Sequence, residues 1–195
     1  MARWELLFIM IAIALLLLSE SARAQGPWTG SIFVGYSRSL ETGSPDGSFA
    51  GRANWFKLAG RSVGVGPEVG YYNLGNRTIA MPDPLSGGTS ENEVGLSTWQ
   101  FTANGIGRTK LDAANGFVTG GAGLYSVRTT RTTMFNSETS IIQKFGMNLG
   151  GGITFNLGSG GMALGLDGRW HGIFSFGDTG GTLDILAVTA GIFFN

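Results

Sequence analysis

The sequence contains no cysteine, which excludes a disulfide framework and the lipid-modified cysteine of a lipoprotein. Charge is also scarce. The 13 basic and 13 acidic residues form 13% of the 195-residue chain, about half the usual share, and cancel to zero. A neutral chain offers no electrostatic basis for binding nucleic acid. No long segment after residue 25 has helical periodicity. The low charge and the missing helical pattern argue against an ordinary soluble enzyme.

The first 24 residues have the pattern of a cleavable secretory signal. Arg3 precedes an uncharged apolar run, LLFIMIAIALLLL, and the small-residue site ARA ends at residue 24. A membrane anchor needs roughly 20 apolar residues, so this run is too short to be one. We expect residues 1–24 to be a signal peptide for Sec export, with cleavage between Ala24 and Gln25. Residues 25–195 are then expected to form one domain.

Glycine is abundant, at 34 residues, and apolar residues recur at every second position. In SIIQKFGMNLGGGITFNL (140–157) the odd positions are mostly large and apolar, whereas the even positions are mostly small or polar. Successive side chains of a strand point to opposite faces, so this segment is predicted to be a strand between two different solvents. It exceeds the average soluble strand of about 5–6 residues and suits a tilted strand that crosses a bilayer.

The same alternation predicts an all-β fold, an eight-stranded antiparallel up-and-down transmembrane β-barrel. In 94–106 the apolar phase shifts from Leu96 to Trp99, which indicates a bulge near Ser97-Thr98. Tight turns at 60–61 and 158–161 and an intermediate connection at 107–115 alternate with longer polar loops, as in outer-membrane barrels. The predicted strands are 28–38, 49–59, 62–73, 94–106, 116–128, 140–157, 162–174 and 184–194. The predicted long loops are near 39–48, 74–93, 129–139 and 175–183.

The glycine-rich face decides which solvent each side of the barrel meets. It carries charged residues, each of which would cost several kcal/mol near the midplane if it faced lipid. An interior of charges and glycines would not hold a soluble barrel together. We therefore predict that the polar face lines the lumen and that the apolar face meets outer-membrane lipid. A soluble periplasmic barrel is the alternative that this sidedness opposes.

The stretch LGLDGRWHGIF (164–174) contains the only histidine. Asp167, Arg169 and His171 stand two residues apart, so all three are predicted to point into the lumen. Eight strands leave an interior just wide enough for side chains, and buried charges must pair. We expect a structural or pore-lining polar cluster of internal salt bridges formed by Arg52, Glu68, Lys144, Asp167 and Arg169, with His171 at one margin.

The chain resembles the OmpA/OmpX-type family of small eight-stranded outer-membrane β-barrels. The residues that carry the resemblance are GVGPEVGYY (64–72), FGMNLGGGITFNLG (145–158), LGLDGRWHGIF (164–174) and LAVTAGIFF (186–194). The resemblance implies insertion by the barrel-assembly machinery, which reads a terminal aromatic in this family. Here Asn195 follows Phe194, which departs from that pattern. Aromatics expected in the interfacial girdles are Trp28, Trp55, Tyr71, Trp99, Phe155, Trp170 and Phe194.

An enzymatic alternative is a lipid A-modifying barrel, because some small outer-membrane barrels are deacylases with a histidine and a serine near a strand end. In that family the serine follows the histidine by two residues, but position 173 here is isoleucine. Ser175 lies four residues from His171, roughly 13 Å along a strand, whereas a catalytic pair needs about 3 Å. We therefore expect no catalytic residues. The loop carboxylates Asp83, Glu91, Glu93 and Asp178 are scattered, so neither a metal site nor a cofactor is expected.

The leading hypothesis is a monomeric, non-enzymatic protein of the bacterial outer membrane. Its barrel would anchor the long loops, above all 74–93, for contact with an unknown surface partner or for envelope integrity. The alternative is a narrow, low-conductance porin-like channel, because porins proper need about 16–18 strands.

Overall fold

The computed structural model describes residues 28–41, 46–59, 62–82, 89–111, 114–133, 136–158, 161–174 and 181–194. The signal-peptide residues, including Ala24 and Gln25, lie outside this part of the chain. Eight strands follow one another: β1 (Trp28–Ser39), β2 (Ser48–Ala59), β3 (Val63–Pro82), β4 (Thr89–Lys110), β5 (Asn115–Thr132), β6 (Ser137–Asn156), β7 (Met162–Phe174) and β8 (Thr182–Phe194).

Every strand pairs antiparallel with its neighbours in sequence, and β1 pairs with β8 from Gly30 opposite Phe194 to Ser39 opposite Ile185. The barrel is therefore closed and has up-and-down topology, which confirms the predicted fold class. The turn end carries Trp28, Phe194 and the connections 60–62, 111–114 and 157–161. The loop end carries the connections 40–47, 83–88, 133–136 and 175–181. Among the described residues, no helix is long and apolar enough to span a bilayer.

Alternation of the side chains gives the barrel two unlike faces. In β7 the odd positions are buried in the lumen, including Asp167, Arg169 and His171, whereas Leu164 and Leu166 are exposed on the outside. The outer face is a continuous apolar band. Among its exposed side chains are Ile32, Val34, Val65, Phe101, Val118, Leu149, Leu166 and Val188. A water-soluble barrel would not expose such a band, and a bilayer solvates it.

Two loop predictions are wrong, because the strands continue beyond the predicted ends. The segment 74–93 is mostly paired strand: Thr78 lies opposite Glu93, and Pro82 lies opposite Thr89. Likewise 129–139 is a hairpin whose connection is only 133–136. The sequences of these segments are mostly polar, so they lack the alternation that marks a strand between two solvents. The upper parts of β3 to β6 form a four-stranded protruding sheet, defined here as residues 76–82, 89–98, 127–132 and 137–144.

The irregularity predicted at Ser97-Thr98 lies instead on the partner strand. The register shifts between Asn73 and Asn76 of β3, and Gly75 there has a φ of 88°, in the left-handed region that favours glycine. β4 itself pairs with β5 without interruption. Its apolar phase changes because Leu96 points inward and packs on the buried residues at the loop end of the lumen. The apolar residues of β4 therefore change from one face to the other because the lumen becomes apolar near the loop end, and the strand itself stays regular.

Candidate functional site

The lumen is filled by three layers of side chains. An apolar turn-end layer consists of Phe33, Phe56, Leu58, Ile106, Phe117, Ala163 and Phe193. An apolar loop-end layer consists of Ala50, Tyr72, Leu74, Tyr125, Val127, Ile173, Leu183, Ile185 and Ala187. Polar and charged side chains lie between these two layers, and those of the charge network described next are buried.

Glu68 lies at the centre of the polar layer. Nη1 of Arg169 is 2.6 and 2.5 Å from the two carboxylate oxygens of Glu68, and Nη1 of Arg52 is 3.2 Å from Oε2. Two side-chain amides add to this: Gln100 donates to Oε1 at 2.8 Å, and Asn54 donates to Oε2 at 3.1 Å. These charged and amide donors take the place of the water molecules that would otherwise hydrogen-bond to the carboxylate.

Asp167 completes a charge cluster that we define as Arg52, Glu68, Asp167 and Arg169. Its Oδ2 is 2.6 Å from Nη2 of Arg52 and 3.6 Å from Nε of Arg169. The four side chains are buried, and their formal charges cancel. They come from β2, β3 and β7, and two of the ion pairs, Arg52 with Asp167 and Arg169 with Glu68, cross the lumen between strands that are not adjacent. The cluster therefore braces the closed barrel from inside.

His171 belongs to the loop-end side of the polar layer. Its Nδ1 is 3.2 Å from the hydroxyl of Tyr125, and its ring centroid is 4.5 Å from that of Tyr72. The histidine is 0% exposed, so neither lipid nor bulk water reaches it. Ser175, its partner in the enzymatic alternative, lies outside the described residues. The observed partner of the imidazole is a tyrosine hydroxyl enclosed by apolar side chains.

Lys144 lies apart from the charge cluster. It is half-buried on β6 opposite Tyr125, in the part of the strand that rises towards the protruding sheet. Within the described part of the chain its ammonium group forms no ion pair with a carboxylate, contrary to the sequence-based expectation. A long side chain at this height reaches water, so its charge does not have to pair in the lumen.

No protein-family profile matches the chain, and no curated protein sequence matches it. Solved structures do. Neisserial surface protein A has a TM-score of 0.57 at 11% identity, covering 86% of this chain and 96% of its own. Ail, the attachment invasion locus protein of Yersinia pestis, has a TM-score of 0.53 at 18% identity, covering 87% and 99%. A major outer membrane protein from Thermus thermophilus has a TM-score of 0.58 at 13% identity, covering 86% and 98%.

The fold is that of the small outer-membrane β-barrels. These structural neighbours are consistent with the OmpA/OmpX-type family that the sequence resembles. At identities of 11–18% the likeness establishes architecture only.

The aromatic side chains of this barrel lie at two levels. Trp28, Trp55 and Phe194 are close to the turn end of their strands, and the rings of Trp55 and Phe194 are 6.1 Å apart. Tyr71 and Trp99 lie higher, 5.0 Å apart, and Trp170 is at a similar distance from the turn end of its own strand. Tyr71 and Trp170 lie about eight residues from the turn ends of β3 and β7, which is roughly 20 Å along a tilted strand and close to the height of the apolar band of such barrels, about 25 Å.

Trp170 also marks the loop-side limit of the apolar band. Its indole Nε1 donates to Oδ1 of Asp184 at 3.1 Å, across the β7–β8 pair. The ring lies over Gly172, where a Cβ would stand 2.6 Å from the indole. An outward carboxylate that accepts from a tryptophan suits the boundary between lipid and water.

No group of three or more histidine, aspartate or glutamate side chains among the described residues is placed to hold a metal ion. Asp83 and Asp178 lie outside those residues. The Glu93 carboxylate accepts a hydrogen bond of 2.7 Å from Nδ2 of Asn76, so it stabilises the protruding sheet at the point where the register shifts.

Sequence reasoning missed the uncharged part of the polar layer. Asn148 donates to Asn104 at 3.1 Å, and Gln100 donates to Thr102 at 2.7 Å. The signal was present in β4, where positions 98, 100, 102 and 104 are all polar. It also missed the inward phenylalanines, because Phe33 and Phe193 break the rule of a wholly polar lumen face. Their rings meet edge to face at 5.3 Å.

Proposed function

We propose that this chain is an integral protein of the bacterial outer membrane that contacts an extended polypeptide at the cell surface, without catalysis. The observation that carries the proposal is the protruding sheet, whose two outer strands lack a second neighbour among the described residues. The loop end then faces the exterior, and the turn end faces the periplasm.

The free edges follow from unequal strand lengths. Among the described residues, β7 pairs with β6 only from Phe145 towards the turn end, so residues 137–144 of β6 have β5 as their one described neighbour. On the other side, the described part of β2 pairs with β3 only as far as Tyr72, so residues 76–82 have β4 as their one described neighbour. Each edge presents a row of backbone donors and acceptors to which another strand can add.

The β6 edge favours a polypeptide partner. Its side chains include Thr139, Ser140, Ile141 and Ile142, and the two isoleucines are 63% and 54% exposed. Short polar and β-branched side chains suit strand addition, whereas the basic clusters that recognise nucleic acid or acidic lipid are missing from this stretch. The similar structure of Ail, named an attachment invasion protein, supports surface contact as a role for this architecture.

The remaining features support the location. The continuous apolar outer face suits lipid and a monomer, and the chain's signal-like first 24 residues suit Sec export. Phe194 at the turn end of β8 is available to the barrel-assembly machinery. The outer-membrane origin of the similar Thermus thermophilus structure supports the same compartment.

The absence of catalysis is also part of the proposal. His171 is the residue that an acyl-transfer mechanism would need, and it is sealed between Tyr72, Tyr125 and the polar layer. A general base must reach both a nucleophile and its substrate.

Placing charges on the β6 edge is expected to abolish adhesion, whereas shortening the β3–β4 hairpin is expected to leave both adhesion and the barrel intact. The hairpin variant replaces residues 78–93 by Asn-Gly, which can close a hairpin between the paired residues Arg77 and Val94. A second variant, Thr139→Lys with Ile141→Lys, places charges on the β6 edge. Bacteria that produce each variant are compared with cells producing the intact chain for retention on immobilised matrix protein.

Heat-dependent gel mobility of the outer-membrane fraction checks that all chains are folded in equal amounts. Loss of adhesion in either variant would show which edge binds. Equal retention of cells with and without the intact chain would contradict the proposal.

The alternative, a narrow pore, is disfavoured by the two apolar layers, which close the lumen on both sides of the charge cluster. We expect no regular single-channel steps in planar bilayers from the intact chain or from Arg169→Ala, because both layers remain in that variant. Steps whose size changes in Arg169→Ala would favour the pore.

A further inference from the structure

A cavity of about 580 Å³ opens at the turn end of the barrel, and the protruding sheet lies at the other end. A volume of this size holds a small molecule. Its wall is polar, and its floor is made of turn-end layer side chains. The lining residues include Arg108, Lys110, Asn115, Thr154, Asn156 and Phe193.

Arg108 is held at the edge of this cavity. Its Nη1 is 3.5 Å from the Thr29 hydroxyl oxygen, and its guanidinium carbon is 5.4 Å from the centroid of the Phe193 ring. Its Nη2 is buried and has no hydrogen-bond partner among the described residues. A guanidinium has five N–H donors, and a buried donor without an acceptor is costly. This N–H group is therefore available to an acceptor in the cavity, which Arg108 lines.

The described wall has cations and no anions. Lys110 joins Arg108, and the described lining residues include no aspartate or glutamate, whereas Asp112 lies outside the described residues. Asn115 and Asn156 contribute side-chain amides whose mutual contact is a long 3.5 Å, so these groups are weakly engaged with each other. Two positive charges with amide donors are the usual chemistry of a site for a carboxylate or phosphate.

The floor separates this cavity from the charge cluster. Phe117 and Phe193 line it and meet edge to face at 5.3 Å within the turn-end layer. A ligand would therefore enter from the periplasmic side and stay there, and the carboxylates of the charge cluster would not neutralise Arg108 directly.

We propose that the turn-end cavity binds an oxyanion, a phosphate or carboxylate group, with Arg108 as its principal contact and Lys110 as the second. The oxyanion belongs either to a free small molecule in the periplasm or to a phospholipid headgroup at the inner rim of the membrane. Both sources offer the same acceptor oxygens to Arg108.

The test is two-dimensional amide NMR of the folded barrel in maltoside micelles, whose headgroups carry no phosphate. Inorganic phosphate is expected to shift signals of residues 108–111, 114–117 and 154–158 in a saturable way, with Kd on the order of 1 mM. In a second arm, phosphatidylglycerol is titrated into the micelles and no phosphate is added. Saturable shifts in the first arm alone identify a free anion, and the same shifts in the second arm identify a headgroup.

Arg108→Gln is expected to weaken phosphate binding at least about tenfold, because it removes the charge and the fork of donors. Arg38→Gln is the matched control, since it removes the same charge from an exposed site near the loop end. No saturable shift in either arm, or equal binding by Arg108→Gln and the intact chain, would overturn the proposal. Unchanged spectra elsewhere in the variant show that it is folded.

Discussion

Replacing Glu68 by glutamine is expected to lower the free energy of unfolding of the barrel by about 3–5 kcal/mol, the usual cost of breaking a buried ion pair by removing one partner. Arg52 and Arg169 would then share only Asp167, and the layer would carry an uncompensated positive charge. The amide keeps the shape of the side chain, so the loss reports charge and hydrogen bonding rather than a cavity. Equilibrium urea unfolding in phospholipid vesicles, followed by tryptophan fluorescence, gives the measurement.

Glu138→Gln is the matched control, since this exposed carboxylate on β6 should contribute less than about 1 kcal/mol. The double variant Glu68→Gln with Arg169→Gln removes both partners. Its loss of stability should be about 1–3 kcal/mol smaller than the sum of the single losses. Strict additivity, or a Glu68→Gln barrel as stable as the intact one, would show that the charge cluster does not brace the barrel.

Placing an arginine at position 166 is expected to destabilise the folded barrel by about 2–4 kcal/mol, because Leu166 lies midway along β7 on the outer face. Leu166 is 49% exposed, so the larger side chain meets no steric barrier. The loss of stability therefore measures whether position 166 is surrounded by lipid or by water. The same urea titration in vesicles measures it.

Met162→Arg gives the matched comparison at the turn end of the same strand and face. Met162 is 45% exposed, and an arginine there can reach the headgroups, so we expect a cost of about 0–1 kcal/mol. If the two substitutions had equal effects, or if Leu166→Arg made the protein soluble and more stable, the outer face would be meeting water and the sidedness would be reversed.

The barrel could be predicted from the sequence because its strands separate two solvents. Asp167, Arg169 and His171 alternate with Leu166, Gly168 and Trp170, and burial in the structure follows the same alternation. The charges at 52, 68, 167 and 169 could be expected to meet, since an interior of eight strands is narrow and buried charges require partners.

The features that the sequence did not predict lie where a strand no longer separates lipid from a polar lumen. Residues 76–82 and 137–139 belong to the protruding sheet beyond the apolar band, so a strand there has no period-two signature and resembles a loop. Leu96 is apolar on the lumen side because the loop-end layer starts there. Lys144 and Asn148 both stand at even positions of β6, on the lumen side, but Lys144 lies nearer the loop end and reaches water. The face on which a side chain lies can be predicted from the sequence, whereas its height along the barrel axis depends on strand tilt and register.

Quenching of tryptophan fluorescence by brominated phospholipids tests the central claim most directly. The tryptophans of the described chain, at positions 28, 55, 99 and 170, all lie on the outer face. If that face meets lipid, vesicles with brominated acyl chains should strongly reduce the emission, and aqueous iodide should have little effect. Emission that is insensitive to brominated lipid but quenched by iodide would contradict the account, because the apolar face would then not be in the membrane.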